Sequence, residues 1–316
     1  MSSINKTEFT PSYLFLVGIP GLEVFHAWLA VPLSIIYIVT LLGNGTLLLA
    51  ISTVMNLHRP MYLLIALLSC SDLVLSSSIL PKMLSLFWFK DEAITFSACL
   101  FQMFLIHAFA AVESGILSCM AIDRFVAVCN PLRYTTIVTN TLIGKMALAI
   151  LLRAGGLIVA LPILTARLSF CSRHIPHSFC EHIAVAKLSC VDITVNNLYG
   201  LIATLSVAAM DFPCIGVSYV QILRAVLQLP CKDQFKAFNT CVAHVCVMSL
   251  LFVPVLFSLV LHRFHHNIPL YVHILLVNTY LLLPPVANPL IYGGKMKEIR
   301  LGILKMLELK RTMHLI

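Results

Sequence analysis

Met120-Ala121-Ile122-Asp123-Arg124-Phe125-Val126-Ala127-Val128-Cys129 sets an acid beside a base at the foot of a long apolar run. Pro131-Leu132-Arg133-Tyr134 follows at once. Charges are costly to place near hydrocarbon, so such a pair at the end of a membrane-length segment marks function more often than accident. Working outward, six further apolar segments surround this one. A helix needs about 20 apolar residues to cross a bilayer, and the seven candidates are roughly 26–52, 61–86, 97–129, 141–165, 196–228, 236–261 and 270–292.

The 316 residues are 60% hydrophobic and 11% charged, with a mean hydropathy of +0.97. Soluble domains carry about 25% charged residues, so water is not the solvent around most of this chain. The expected fold is an all-α, seven-helix membrane bundle with no separate soluble module. Its parts are an outer N-terminus at 1–25, the bundle at 26–292, and a short amphipathic helix with a tail at 293–316. In that tail Met296, Ile299, Ile303 and Leu307 recur at helical spacing among Lys295, Lys297, Lys305 and Glu308. This pattern suits a helix lying on the inner leaflet.

The net charge of +8 does not point to nucleic acid, because its distribution is one-sided. Arg59, Arg124, Arg133, Lys145, Arg224, Lys232, Lys236, Lys295, Lys297, Arg300, Lys305, Lys310 and Arg311 all fall on one side of the seven-span arrangement. The positive-inside rule makes that side cytoplasmic and the N-terminus extracellular. The sequon Asn5-Lys6-Thr7 then faces the compartment where glycosylation occurs. A second sequon, Asn44-Gly45-Thr46, falls inside the first span and is expected to be unused. The first 20 residues lack an apolar signal core, so no cleaved signal peptide is expected and the first span acts as the anchor. Plasma-membrane residence follows as the expectation.

Cysteines divide by side. Cys99, Cys171, Cys180 and Cys190 face the oxidising compartment and allow two bridges in three pairings. Cys70, Cys119, Cys129, Cys214, Cys231, Cys241 and Cys246 read as free thiols that behave like small hydrophobes. The 166–195 loop, long and cysteine-rich, is a plausible lid over a ligand pocket. His174, His177 and His182 lie in it, but their spacing is too loose to predict a metal site.

Asp72, Glu113, Arg153 and Asp211 fall inside predicted spans, where each needs a partner or water. Glu113 lies about 21 Å below Cys99 and about 16 Å above Arg124, while Asp72 lies about 16 Å from Met61. These two carboxyls therefore share a depth near mid-membrane, where a bound sodium ion or a shared proton suits them. Hydrogen bonding by serines, Asn44 and Asn288 is the plainer alternative. Arg153 has no partner legible in the sequence; it either snorkels inward or pairs with an acid across the bundle. Lys82 is expected to snorkel outward.

Together these residues resemble the olfactory receptors, a family of rhodopsin-like G-protein-coupled receptors. The resemblance rests on Gly43-Asn44, on Pro60-Met61-Tyr62 with Asp72, and on the stretch from Met120 to Cys129. It is extended by Ser218-Tyr219, Lys236-Ala237-Phe238-Asn239-Thr240-Cys241 and Asn288-Pro289-Leu290-Ile291-Tyr292. Glu113, the long second outer loop, Pro254 and His262-Arg263-Phe264 are similar to the class I, fish-like subgroup. Ile122 and Phe125 depart from the family pattern, which has tyrosine at both places.

The resemblance implies bridges Cys99–Cys180 and Cys171–Cys190. It also implies an odorant ligand, small and polar, with carboxylic acids favoured and Arg263 as their anchor. An arginine fork suits that role, because it binds carboxylate bidentately. From Arg263 an alkyl tail would run about 16 Å down the helix to Phe252. His107 and His182 are candidate hydrogen-bond partners for the ligand, and Ile106, Ala110, Gly200, Thr204, Val255 and Leu259 are further pocket candidates whose plain alternative is core packing. Asp123, Arg124, Tyr219, Asn288, Pro289 and Tyr292 form the implied activation switch: Asp123 holds Arg124 at rest, and Arg124 turns toward Tyr219 on activation. The implied partner is a stimulatory heterotrimeric G protein that raises cyclic AMP.

A transporter or channel is the competing class, but transporters show repeated halves and broken helices at matching positions, and none is visible. Hydrolase and metalloprotease motifs are absent as well. The chain is expected not to be an enzyme.

Overall fold

The computed structural model describes residues 11–228, 230–264 and 269–313, with side chains for all of these except 231–233, 235–240, 258–264 and 307–313. Asn5 therefore lies outside the described residues, as do the side chains of Leu259, Arg263, Leu307, Glu308, Lys310 and Arg311.

Among the described residues seven long helices form the bundle: α1 (His26–Thr53), α2 (Pro60–Phe89), α3 (Phe96–Cys129), α4 (Asn140–Ile158), α5 (Thr194–Leu227), α6 (Cys231–Phe264) and α7 (Leu270–Lys295). An eighth, α8 (Lys297–Met313), follows. Among the described residues six of the seven spans, the fourth taken over Asn140–Ala166, contain an apolar window long enough to cross a membrane, and α6 carries a shorter apolar stretch, Cys241–Phe257. Leu42, Leu152, Leu201 and Val253 are exposed, as expected of helices solvated by lipid rather than water.

Local chemistry sets the helix ends. Pro60 opens α2, where its missing N–H would have no partner in any case. Thr95 caps α3 by accepting from the Ala98 N–H at 3.3 Å, and Thr139 caps α4 from Leu142 at 3.2 Å. The predicted span 141–165 is covered by α4 and a short helix over Ala160–Ala166, which meet at Val159, where the backbone keeps helical dihedrals and the N–H still bonds the Gly155 carbonyl.

At the disulfide-bearing end, a small sheet departs from the all-α expectation. β1 (Tyr13–Leu16) runs antiparallel to β2 (Ala93–Thr95), with Tyr13 opposite Thr95, and parallel to β3 (His174–Ile175), with Leu16 opposite Ile175. The segment before the first helix is thus part of the lid. Bridges Cys99–Cys180 and Cys171–Cys190 tie the long loop to α3 and to itself.

The interior has two apolar halves. One holds Leu68, Ile116 and Tyr292; the other holds Leu75, Met103, Leu282 and the lid residues Leu14, Phe170 and Ile175. Between them runs a layer of buried polar residues, among them Asn44, Asp72, Glu113, Ser114, Asp211 and Asn288. At the basic end Ile299 of α8 is fully buried and a side chain at Gly302 would meet Leu57, so α8 lies against the foot of α1.

Candidate ligand pocket and signalling core

Beneath the lid, the second bridge partner places the pocket residues. Cys180 is bonded to Cys99 on α3, so Glu181 and His182 follow it directly into the mouth of the bundle. Glu181 caps the short helix His182–Ala186 by accepting from the Ala184 N–H at 2.6 Å. The His182 and His107 rings stand edge-on at 6.5 Å. Each has a buried Nε2 with no partner among the described residues.

Gly200 completes this corner. A Cβ there would come within 3.2 Å of the His182 Nδ1, so glycine is what lets α5 pass so near the ring. Gln102 of α3 receives the Cys180 N–H at 3.0 Å and donates to the Ser78 carbonyl at 2.7 Å. Ser178 donates to Asn278 of α7 at 3.2 Å.

In the lid, burial pushes the His177 and His182 rings down to about 4 from 6.5. Burial raises the Glu181 carboxyl, but His177, His107 and the N–H groups of Ile183 and Ala184 outweigh it and leave the carboxyl low. Near neutral pH the Glu181 side chain is a carboxylate.

The other pocket candidates are dispersed. Ile106 is packed inside the outer apolar half with Ala110 at its edge. Thr204 is exposed, and its hydroxyl donates to the Gly200 carbonyl one turn back at 2.9 Å, which removes it as a free ligand donor. Phe252 is half-buried, edge-on to the exposed Phe212 at 4.9 Å, and Val255 is half-buried too. Leu259 and Arg263 sit on the last turns of α6, with their side chains outside the described residues.

At the basic end the expected Asp123–Arg124 hold is corrected. Among the described residues the two form no ion pair. Neighbours in a helix point about 100° apart and do not face each other. Asp123 instead accepts from the Tyr134 hydroxyl at 2.7 Å, which fastens α3 to the loop after it. Arg124 turns inward and its Nη2 donates to the Met61 Sδ at 2.7 Å. Nor does the Tyr219 hydroxyl wait for Arg124: it is bonded to His244 Nδ1 at 2.8 Å, linking α5 to α6. Sequence reasoning passed over His244, a lone histidine in an apolar run. Tyr292 is buried against Met120, with its hydroxyl 3.9 Å from the Sδ. Pro289 meets α1 where a side chain at Gly43 would come within 2.8 Å of its ring.

Mid-bundle, Asp72 and Glu113 lie close enough for their carboxyls to interact, as their shared depth predicts. Asn288 donates to both Asp72 oxygens, at 3.1 and 2.9 Å. Asn44 donates to the Pro285 carbonyl at 2.9 Å and is fully buried, so its sequon is out of reach of any glycosylating enzyme. Four oxygens of this layer are buried without a partner among the described residues: Thr40 Oγ1, Asn44 Oδ1, Glu113 Oε1 and Asn288 Oδ1. On the opposite side of α3, Arg153 finds the acid the sequence did not reveal. Its Nη1 lies 2.6 Å from Asp211 Oδ1. Lys82 also pairs, with Asp91 at 2.7 Å.

The chain is similar to known proteins along nearly its whole length. A family model described as "Olfactory receptor" matches residues 33–310. Olfactory receptor 52N2 of Homo sapiens is 46% identical over 310 residues, which is 97% of each chain. Olfactory receptor 52P1, also human, is 47% identical over 310 residues, or 98% of this chain and 97% of that one. Among solved structures, squid rhodopsin superimposes with a TM-score of 0.74 at 16% identity, over 92% of this chain and 87% of its own. That likeness bears on the fold alone.

Proposed function

Because the chain belongs to the olfactory receptor family, we propose that it binds a small carboxylic acid under the lid and activates a stimulatory heterotrimeric G protein that raises cyclic AMP. It is a multi-pass receptor of the plasma membrane and not an enzyme. The N-terminus is extracellular and the C-terminus cytoplasmic in this reading, with Asn5 glycosylated. The two bridges at one end and the concentration of Lys and Arg at the other support that orientation.

The observation that carries the ligand site is the pair of unpartnered Nε2 atoms on His107 and His182. Buried polar atoms without partners are rare in folded proteins, and a ligand oxygen is a natural partner for both. Arg263 anchors the acid head, and the tail runs toward Phe252 past Val255 and Leu259. Glu181 bears on the choice, because a second carboxylate set directly beside it would be repelled. The acid head therefore belongs at Arg263, with the histidines nearer the tail or touching only one of its oxygens. A head placed at the histidines instead would have to donate to Glu181, as an alcohol or amine does.

A screen separates these. Cyclic AMP output is measured across linear acids, alcohols, aldehydes and amines of equal length. The expected result is a response to acids that weakens at least about a hundredfold in Arg263→Ala, since removing one member of a desolvated charge pair costs about 3–5 kcal/mol. Lysine at 263 rescues in part, because it keeps the charge and loses the fork. Equal loss of acid and alcohol potency in Arg263→Ala rules out the anchor. Responses to amines alone select the Glu181 placement.

A further inference from the structure

Helix α5 is fastened at one point by a charge pair that neither ligand binding nor the Arg124 region uses. Arg153 of α4 grips Asp211 with both nitrogens, Nη1 to Oδ1 at 2.6 Å and Nη2 to Oδ2 at 3.0 Å. The same Nη2 donates to the Ala111 carbonyl of α3 at 3.3 Å, and Ser114 of α3 donates to Asp211 Oδ2 at 2.7 Å. Only 15% of the arginine side chain and 5% of the aspartate are exposed. The guanidinium passes over α3 at Gly115, where any Cβ would come within 2.9 Å of it. A helix crossing chosen for packing alone would need neither the charge pair nor the bare glycine, and well-packed apolar residues often replace such pairs without loss of stability.

Position along α5 gives the pair its meaning. Pro213, two residues beyond Asp211, removes a backbone donor and weakens the helix there. On one side Gly200 touches His182 about 16 Å away; on the other Tyr219 bonds His244 about 12 Å away. Phe212, next to the pinned residue, packs edge-on against Phe252 of α6. We propose that Arg153, Asp211 and Ser114 are positioning residues for signalling: they pin α5 to α3 and α4 beside its weak point, so that movement at the lid end is delivered to Tyr219 rather than lost in a sliding helix. The proposal rests on the receptor reading only for its signalling half.

The test uses the full chain carrying an N-terminal epitope, in cells and in nanodiscs. Arg153→Leu and Asp211→Leu each leave a buried charge and should lower surface display at least about tenfold. The neutral double variant Arg153→Gln with Asp211→Asn should restore display to within roughly threefold, since it leaves no unpaired charge. Arg153→Lys keeps the charge without the fork and serves as the second probe. Spin labels at Val220 on α5 and Leu148 on α4, both exposed, report the distance between the helices. The double variant and Arg153→Lys should broaden that distance distribution relative to wild type. With linear acids from propanoic to nonanoic as agonists, they should lower maximal cyclic AMP at least about fivefold. Unbroadened distances in both variants overturn the proposal, as does full acid-driven output where wild type responds. A wild-type chain silent to every acid overturns the ligand reading instead, and the distance measurement still decides the pin.

Discussion

At Arg124 the direction of a side chain decides the chemistry. It lies inside the bundle, held by a soft thioether rather than by Asp123, so little electrostatic attraction opposes its release. Arg124→Ala is expected to abolish agonist-driven cyclic AMP while surface display stays near normal; a normal response would end its role as a switch. Glycines give a second residue-scale contrast. Gly115→Val must displace both the Arg153 guanidinium and Ile150, each 2.9 Å from the new Cβ, and overpacking of this kind costs about 1–3 kcal/mol. Gly155→Ala meets nothing within 4 Å and should stabilise α4 by about 0.5–1 kcal/mol. The two variants should move the melting midpoint of the purified protein in opposite directions. Both faces of this contrast were hidden in the sequence, where the two glycines look alike. What distinguishes them is whether a neighbouring helix crosses there.

Elements were legible where they are long. The third span, read as 97–129, is a helix over Phe96–Cys129, because an apolar run of that length has one economical conformation in lipid. The lid was legible only as a cross-linked loop. Its strands are four, three and two residues long, too short for alternation to show, and their pairing joins segments far apart in the chain. The lid should also be sensitive to acid. The His177 and His182 rings sit at about 4 in the folded protein against 6.5 when free. Unfolded chain therefore binds more protons between those values, and stability falls as pH drops from about 6.5 toward 4. Glu181, held low, adds to the loss in the same direction as pH falls further. Melting midpoints from pH 7.5 to 4.5 should decline below about 6.5, and His177→Phe with His182→Phe should flatten that slope. A slope unchanged in the double variant would place the titrating groups elsewhere.

Across the whole molecule, α3 is the axis on which two polar clusters hang at one depth. Glu113 faces Asp72, which accepts from Asn288; the next residue, Ser114, donates to Asp211, the partner of Arg153. One cluster is neutral by pairing, while the other holds two carboxyls with no cation among the described residues. Asp72 and Glu113 are legible as a pair because helix rise converts residue spacing directly into depth. The partner of Arg153 is not, since many pairings satisfy a depth and only the helix rotations select one. The surplus of acids on the Asp72 side sits among buried oxygens of Thr40, Asn44, Glu113 and Asn288 that lack partners. Hard oxygen donors gathered around negative charge suit a small cation such as sodium. If sodium binds there, its stabilisation follows mass action and reaches about 1.4 kcal/mol at ten times its dissociation constant. Melting midpoints of the purified receptor should then rise with sodium chloride and not with choline chloride at equal ionic strength. Glu113→Gln removes one of the two charges and should abolish the difference between the salts. Identical curves for the two salts in the wild type would mean that the carboxyls are satisfied by sharing a proton, and the response to pH rather than to sodium would then change in Glu113→Gln.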